Sequence, residues 1–126
     1  MLKDWKSKEF SKNEDFSNLE NKSGLYILCS KLKNGKYKAF YVGQAINLKQ
    51  RLAQHLSDNE ENIELKEYLK NNYYFLVYYT EETNGNNRDQ IEYSLYKKLN
   101  PKFNQITPPN KKEIISINIP DNIDID

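Results

Sequence analysis

The chain has 126 residues, 37% of them hydrophobic, one cysteine and a formal net charge of +1. That length suits one domain, able to bury roughly two-thirds of its unfolded surface in a single core, and a lone cysteine excludes an internal disulfide. No apolar run approaches the roughly 18 residues of a membrane span, and the opening MLKDWKSKEF has no signal-like apolar stretch, so a reducing cytoplasm is the expected compartment.

Residues 1–21 are polar, with scattered Trp5, Phe10, Phe16 and Leu19, and read as a short helix plus loop packed on the core. The runs GLYILCS (24–30) and YKAFYVG (37–43) are β-rich, and Asn34-Gly35 between them is a hairpin signal because both residues tolerate positive φ. Strands this continuously apolar predict a sheet covered on both faces. Cys29, inside LYILC, reads as a small buried hydrophobe.

Asn47 begins a helix, with Gln50 three residues on as in a capping box. Leu48, Leu52 and Leu56 form its apolar stripe, with Ala53 beside it, and Arg51 and the chain's one histidine, His55, run along the stripe's edge. A less regular helix follows over 61–71, using Ile63, Leu65, Tyr68 and Leu69, and then a strand, YYFLVYY (73–79). Asn87 can cap a helix running to about Leu99, which buries Ile91, Leu95 and Leu99 and carries Arg88, Glu92 and Tyr96 along a parallel line; Pro101 marks its end. Past Pro108-Pro109, EIISINI alternates like an edge strand, and PDNIDID reads as a frayed acidic end. The order ββααβα predicts an α+β domain with a small antiparallel sheet.

Charge is unevenly spread along these elements. Residues 22–112 hold 15 lysines and arginines against 9 carboxylates, whereas the last 14 residues hold 4 acids and no base. Lys31, Lys33, Lys36, Lys38, Lys49 and Arg51 follow one another with no acid between, a pattern compatible with a polyanionic partner and equally with a solvated hairpin.

Gly24 and Gly43 sit at the entrance and exit of the hairpin, hence at one end of the sheet, where glycine permits close approach of a backbone or a ligand. Tyr26 and Tyr41 lie beside them, and the helix bearing Arg51 and His55 is launched from that end. Glu92 borders the apolar stripe of a helix that must pack on the sheet, unlike the solvated acids of DNEEN. A carboxylate for a divalent metal, a guanidinium for phosphate oxygens and a phenol or imidazole for a proton together suit phosphodiester hydrolysis. With one histidine, a multi-histidine zinc site is excluded.

These residues resemble the GIY-YIG nuclease family. Gly24-Leu25-Tyr26 matches the first triplet, Tyr41-Val42-Gly43 the second, NLKQRLAQH the following helix, Glu92 the metal-binding glutamate, and LNPKFN the closing segment ending at Asn104. The match spans 23–105, with 1–22 as an N-terminal extension and 106–126 as a C-terminal one. Leu25 and Val42 stand for isoleucines, and Gln44 stands where DNA-repair members often have lysine, so the likeness is to compact stand-alone or restriction-like members.

The resemblance implies a three-stranded antiparallel sheet flanked by helices and a one-metal endonuclease, using Mg²⁺ or Mn²⁺, that cuts nucleic acid, DNA being the expected substrate. It implies Tyr26 as general base or positioner of the attacking water, Tyr41 near the scissile phosphate, Arg51 stabilising its charge, Glu92 as metal ligand and Asn104 as a brace. His55 would orient the water or accept its proton. Lys31, Lys33, Lys36, Lys38, Gln44 and Lys49 are the expected nucleic-acid contacts, and a homodimer or partner protein would allow both strands to be cut. The alternatives are a non-cleaving nucleic-acid-binding module, or a partner-delivered interaction domain on the same fold. Taken singly, each residue also has an ordinary structural use: the tyrosines in strand packing, Arg51 and His55 on a helix face, Glu92 in an ion pair along its helix.

Overall fold

The chain reverses at Asn34-Gly35 because Gly35 takes φ +86° without a side-chain penalty. Leu32 N–H donates to Lys36 O at 2.7 Å and Gly35 N–H to Leu32 O at 3.1 Å, closing the turn. The computed structural model describes residues 4–11, 16, 19, 21–72, 75–104, 111–114 and 116–125. This turn joins β2 (Gly24–Lys31) to β3 (Tyr37–Ala45), paired antiparallel from Gly24 opposite Ala45 to Lys31 opposite Tyr37. The register shifts between Leu28 and Cys29, so Phe40 is the extra residue of a bulge.

On the other side of β2 lies β4 (Phe75–Glu81), also antiparallel, with Tyr26 opposite Tyr79. Residues 73 and 74, expected to open that strand, lie outside the described residues. Two further strands correct the expected three-stranded antiparallel sheet. Where a helix was expected near the N-terminus, β1 (Lys6–Glu9) runs antiparallel to β4. At the other edge, β5 (Ile123–Asp124) pairs parallel with Tyr37 and Lys38 of β3. Among the described residues the sheet is thus five-stranded and mixed, in the order β1-β4-β2-β3-β5. The strand foreseen in EIISINI is not present among the described residues of 113–119, and the acidic end expected to fray supplies β5 instead.

Both extra strands are recruited by backbone. KSKE has no apolar alternation, but β4 offers a row of unpaired amides and carbonyls, and pairing satisfies them whatever the side chains are. Apolar anchors sit beside the pairing: Phe10 is fully buried just after β1, and Ile123 is buried in β5.

The helices cover both faces. α1 (Leu48–His55) and α2 (Ile63–Asn71) lie on one face, where Leu48, Leu52, Leu65 and Leu69 pack with Tyr26, Leu28, Phe40 and Phe75. On the opposite face α3 (Gly85–Leu99) packs Ile91, Leu95 and Leu99 against Leu25, Ile27, Cys29 and Val42. β2 therefore buries alternate residues on two sides, which explains its unbroken apolar run. Cys29 is fully buried and its thiol pKa is pushed up by that burial, which removes it from nucleophilic chemistry.

Capping sets where the helices begin. Asn47 accepts from the Gln50 N–H and Asn62 from the Leu65 N–H. Asn84, not Asn87, caps α3: its side chain accepts the Asn87 N–H, so the helix starts three residues earlier than expected. α3 ends at Asn100, in the left-handed conformation at φ 48°. Ile63, expected in the α2 stripe, is 67% exposed.

Candidate active site

The bulge at Phe40 organises the site. It lets Phe40 and the next residue, Tyr41, both join the α1 face, while Ala39 and Val42 join the α3 face. Tyr41 is then diagonal to Tyr26, and their rings stack with centroids 6.1 Å apart. Directly opposite Tyr26 stands Gly43, whose missing side chain makes room for the phenol: a Cβ there would lie 2.5 Å from the Tyr26 Cζ and hydroxyl oxygen. Gly24 similarly admits the Thr80 carbonyl, which a Cβ would meet at 2.0 Å. Both glycines thus serve close packing inside the protein.

His55 closes this pocket from the last turn of α1. The sequence places it at the edge of the apolar stripe, yet it is only 1% exposed. Its Nε2 lies 2.6 Å from the Tyr26 hydroxyl, and its ring meets Tyr41 edge-on at 5.0 Å between centroids. Burial pulls its pKa below the ordinary histidine value, and Arg51 adds to this against the opposing pull of Glu60.

Arg51, one turn earlier on α1, is half-buried beside both phenols. Burial works against its charge, but Tyr26, Tyr41 and Glu60 more than offset this, and the net shift is upward. Burial raises the pKa of both phenols, that of Tyr26 well above its usual value, and Arg51 partly opposes the rise. The guanidinium therefore keeps its charge beside two phenols whose ionisation burial opposes.

Glu92 arrives from the opposite face. Gln44 pairs opposite Leu25 on the α3 side, and its amide nitrogen donates to Asp89 at 2.7 Å and to Glu92 at 3.2 Å. Arg88 Nε donates in turn to the Gln44 amide oxygen at 3.2 Å. Burial lifts the carboxyl pKa of Glu92, and nearby Asp89 lifts it further against the Gln44 hydrogen bond. Glu92 thus reaches β3 at Gln44, next to the Gly43 that stands opposite Tyr26, and its charge adds a little to the rise of both phenols.

β5 pairs only with Tyr37 and Lys38, so among the described residues no strand pairs with the rest of β3 on that side. Asn104 serves the edge there like a strand residue. Its Nδ2 donates to Val42 O at 2.8 Å and its Oδ1 accepts the Val42 N–H at 3.0 Å, holding the backbone between Tyr41 and Gly43. Beside it, Phe103 N–H donates to the Phe40 carbonyl at the bulge.

Not every expected residue converges here. Lys31, Lys33 and Lys36 are exposed at the hairpin tip, and five strand residues from Tyr26 to Lys31 span about 15–17 Å. Lys38 is half-buried beside β5, Lys49 is exposed on α1, and Gln44 is engaged within the protein by Arg88, Asp89 and Glu92.

One acid expected to be solvated belongs to the site instead. Glu60, counted among the solvated acids of DNEEN, is 6% exposed and its Oε2 lies 2.5 Å from His55 Nδ1. The available signal was its place two residues before the capping Asn62 and five after His55, in a connection short enough to fold back on α1. Nothing in the composition of DNEEN separates it from Asp58 or Glu61, which are exposed.

Among the described residues no three His, Cys, Asp or Glu side chains cluster as metal ligands, and no helix is long and apolar enough to cross a membrane. A family model for the GIY-YIG catalytic domain matches residues 22–105. Solved structures of the GIY-YIG N-terminal endonuclease domain of UvrC from Thermotoga maritima are similar to the chain. A point mutant bound to its catalytic divalent cation shares 25% identity over 67% of this chain and 83% of that one, with a TM-score of 0.49. The form bound to magnesium shares 23% identity over 67% and 84%, also with a TM-score of 0.49. No curated protein matches the chain.

Proposed function

The chain belongs to the GIY-YIG nuclease family, and from that premise we propose that it is an endonuclease hydrolysing phosphodiester bonds in DNA with one Mg²⁺ ion. The observation that carries the proposal is the cluster of Tyr26, Tyr41, Arg51 and His55 packed against Gly43 on one face, with Glu92 reaching the adjacent Gln44 from the other.

The donor set fits a hard cation held sparingly. Mg²⁺ is commonly bound through one or two carboxylates while it keeps several waters, and Glu92 supplies one carboxylate. Burial chiefly raises its pKa and Asp89 adds to the rise, and a cation bound there would favour the ionised carboxylate. Glu92 would hold the ion, which when bound neutralises charge on the phosphate.

The remaining roles fall to side chains of this chain. Arg51, beside the two phenols, binds the phosphate oxygens and stabilises the charge they gain in the transition state. Tyr41 lines the phosphate position, and Tyr26 with His55 handles the proton of the attacking water. Asn104 keeps Tyr41 and Gly43 at fixed height by holding Val42 between them. The hairpin lysines are too far to touch the scissile phosphate, so their part is with flanking nucleic acid.

A matched panel of duplex, single-stranded and branched DNA and RNA, incubated with Mg²⁺ and with EDTA, tests this reading. Cleavage of a DNA substrate that EDTA abolishes supports it. Salt-sensitive binding without cleavage under Mg²⁺ or Mn²⁺ would instead leave a non-cleaving nucleic-acid module.

A further inference from the structure

His55 is held at both ring nitrogens. Nε2 lies 2.6 Å from the Tyr26 hydroxyl, and Nδ1 lies 2.5 Å from Glu60 Oε2. An ionised carboxylate has only acceptor sites, so the proton of that contact belongs to Nδ1. A neutral imidazole carries one N–H, which leaves Nε2 with a lone pair facing the phenol. The Tyr26 hydroxyl is therefore the donor. Glu60 is itself anchored: its Oε1 accepts the Asn62 N–H at 3.0 Å, and the Asn62 side chain caps α2 and donates to Phe103 O at 2.7 Å. The charged and titratable groups around the ring are Arg51 from α1, Tyr26 from β2, Tyr41 from β3 and Glu60 from the α1–α2 connection.

We propose that Glu60 is a positioning residue of the cleavage reaction, which fixes His55 as the Nδ1–H tautomer and so aims Nε2 to receive the proton of Tyr26. This deepens, and rests on, the nuclease reading. As the water oxygen forms its bond to phosphorus, its proton passes to the Tyr26 oxygen and the phenolic proton passes to Nε2. The scissile P–O bond breaks with its electron pair on the leaving oxygen, which takes a proton from solvent. The imidazolium, stabilised by the Glu60 carboxylate, then releases its extra proton to solvent, and the site is restored. Tyr26 never carries a full negative charge, which suits a phenol whose burial opposes ionisation.

The single histidine makes the test direct. Long-range ¹H–¹⁵N spectra of protein labelled at histidine nitrogens, taken at pH 8, report which ring nitrogen is protonated. Nδ1–H with a bare Nε2 is expected; Nε2–H in the wild-type protein overturns the proposal, and this holds whatever the variants do. Glu60→Gln should mix or reverse the tautomers and lower kcat by about 10- to 100-fold, part of the ~10²–10⁴ that acid–base transfer supplies, with KM within about twofold. Glu60→Asp should recover part of kcat. A folded Glu60→Gln protein with unchanged kcat also overturns it. Absence of cleavage by the wild type sinks the nuclease reading, whereas the wrong tautomer in a cleaving protein sinks the relay alone.

Discussion

Replacing Gly43 by alanine tests whether the close fit around Tyr26 serves cleavage. The new Cβ would stand 2.5 Å from the Tyr26 Cζ and hydroxyl oxygen and 2.9 Å from Cε1. Ordinary carbon contacts need about 3.5–4 Å, so the ring must retreat by about 1 Å. It has little room, being 1% exposed and packed between Tyr41 and His55. A retreat of that size stretches the 2.6 Å contact with His55 beyond hydrogen-bond range. Overpacking costs about 1–3 kcal/mol and the lost hydrogen bond about 1 kcal/mol more, so stability should fall by about 2–4 kcal/mol. Misplacing a reacting group by about 1 Å costs on the order of 10²-fold in rate. Urea unfolding and nicking of supercoiled plasmid measure the two effects. Gly35→Ala is the control: it is strained at φ +86° but meets nothing within 4 Å, so it should lose about 1–2 kcal/mol and keep full activity. Gly43→Ala with an unchanged urea midpoint and nicking within threefold of wild type would show that the close fit at Tyr26 serves neither stability nor cleavage.

Other perturbations address neighbouring parts of the site. Arg51→Ala should cut the rate by about 10²–10³-fold, and Arg51→Lys should restore only part of it because an ammonium lacks the planar fork; equal activity of wild type and Arg51→Ala would remove the residue from the site. Asn104→Ala frees the Val42 N–H and C=O, so it should cost about 1–3 kcal/mol in urea unfolding and lower nicking by loosening Tyr41 and Gly43. Acid should destabilise the fold in two stages. The folded-state pKa of His55 lies below its unfolded value, so as pH falls the unfolded chain binds that proton first. Its contribution is complete above about pH 6.5 and is lost below it. Glu60 is depressed by His55 and the Asn62 N–H against the cost of burial, so its contribution persists above about pH 4.5 and is lost further down. Urea midpoints should be level from pH 7 to 8 and fall below about 6.5; midpoints that rise between pH 6.5 and 5 would contradict this.

What could be read from sequence, and what could not, follows from which forces leave a mark on residue type. The hairpin, α1 and α3 were legible because burial imposes periodicity and Asn34-Gly35 and Asn47 carry their own turn and cap chemistry. The strands β1 and β5 were not, since pairing at a sheet edge needs only backbone amides, and KSKE looks like any solvated segment. The same limit applies to charge. Arg51, His55 and Glu92 stood out by their places on patterned helices, whereas Glu60 lay in an unpatterned acidic connection and became visible only when that connection folded against His55. The hairpin lysines stood out by number, yet strand length carries them to the end of the sheet away from Tyr26. The bulge at Phe40, which sets Tyr41 beside Tyr26, has no sequence signature in YKAFYVG.

Glu92→Ala in the plasmid-nicking assay decides whether this chain cleaves through a metal held at Glu92. Wild-type protein should nick supercoiled plasmid with Mg²⁺ and not with EDTA. Glu92→Ala, folded by circular dichroism, should show no Mg²⁺-dependent nicking. Nicking by Glu92→Ala at the wild-type rate in Mg²⁺ would remove Glu92 from metal binding and cleavage.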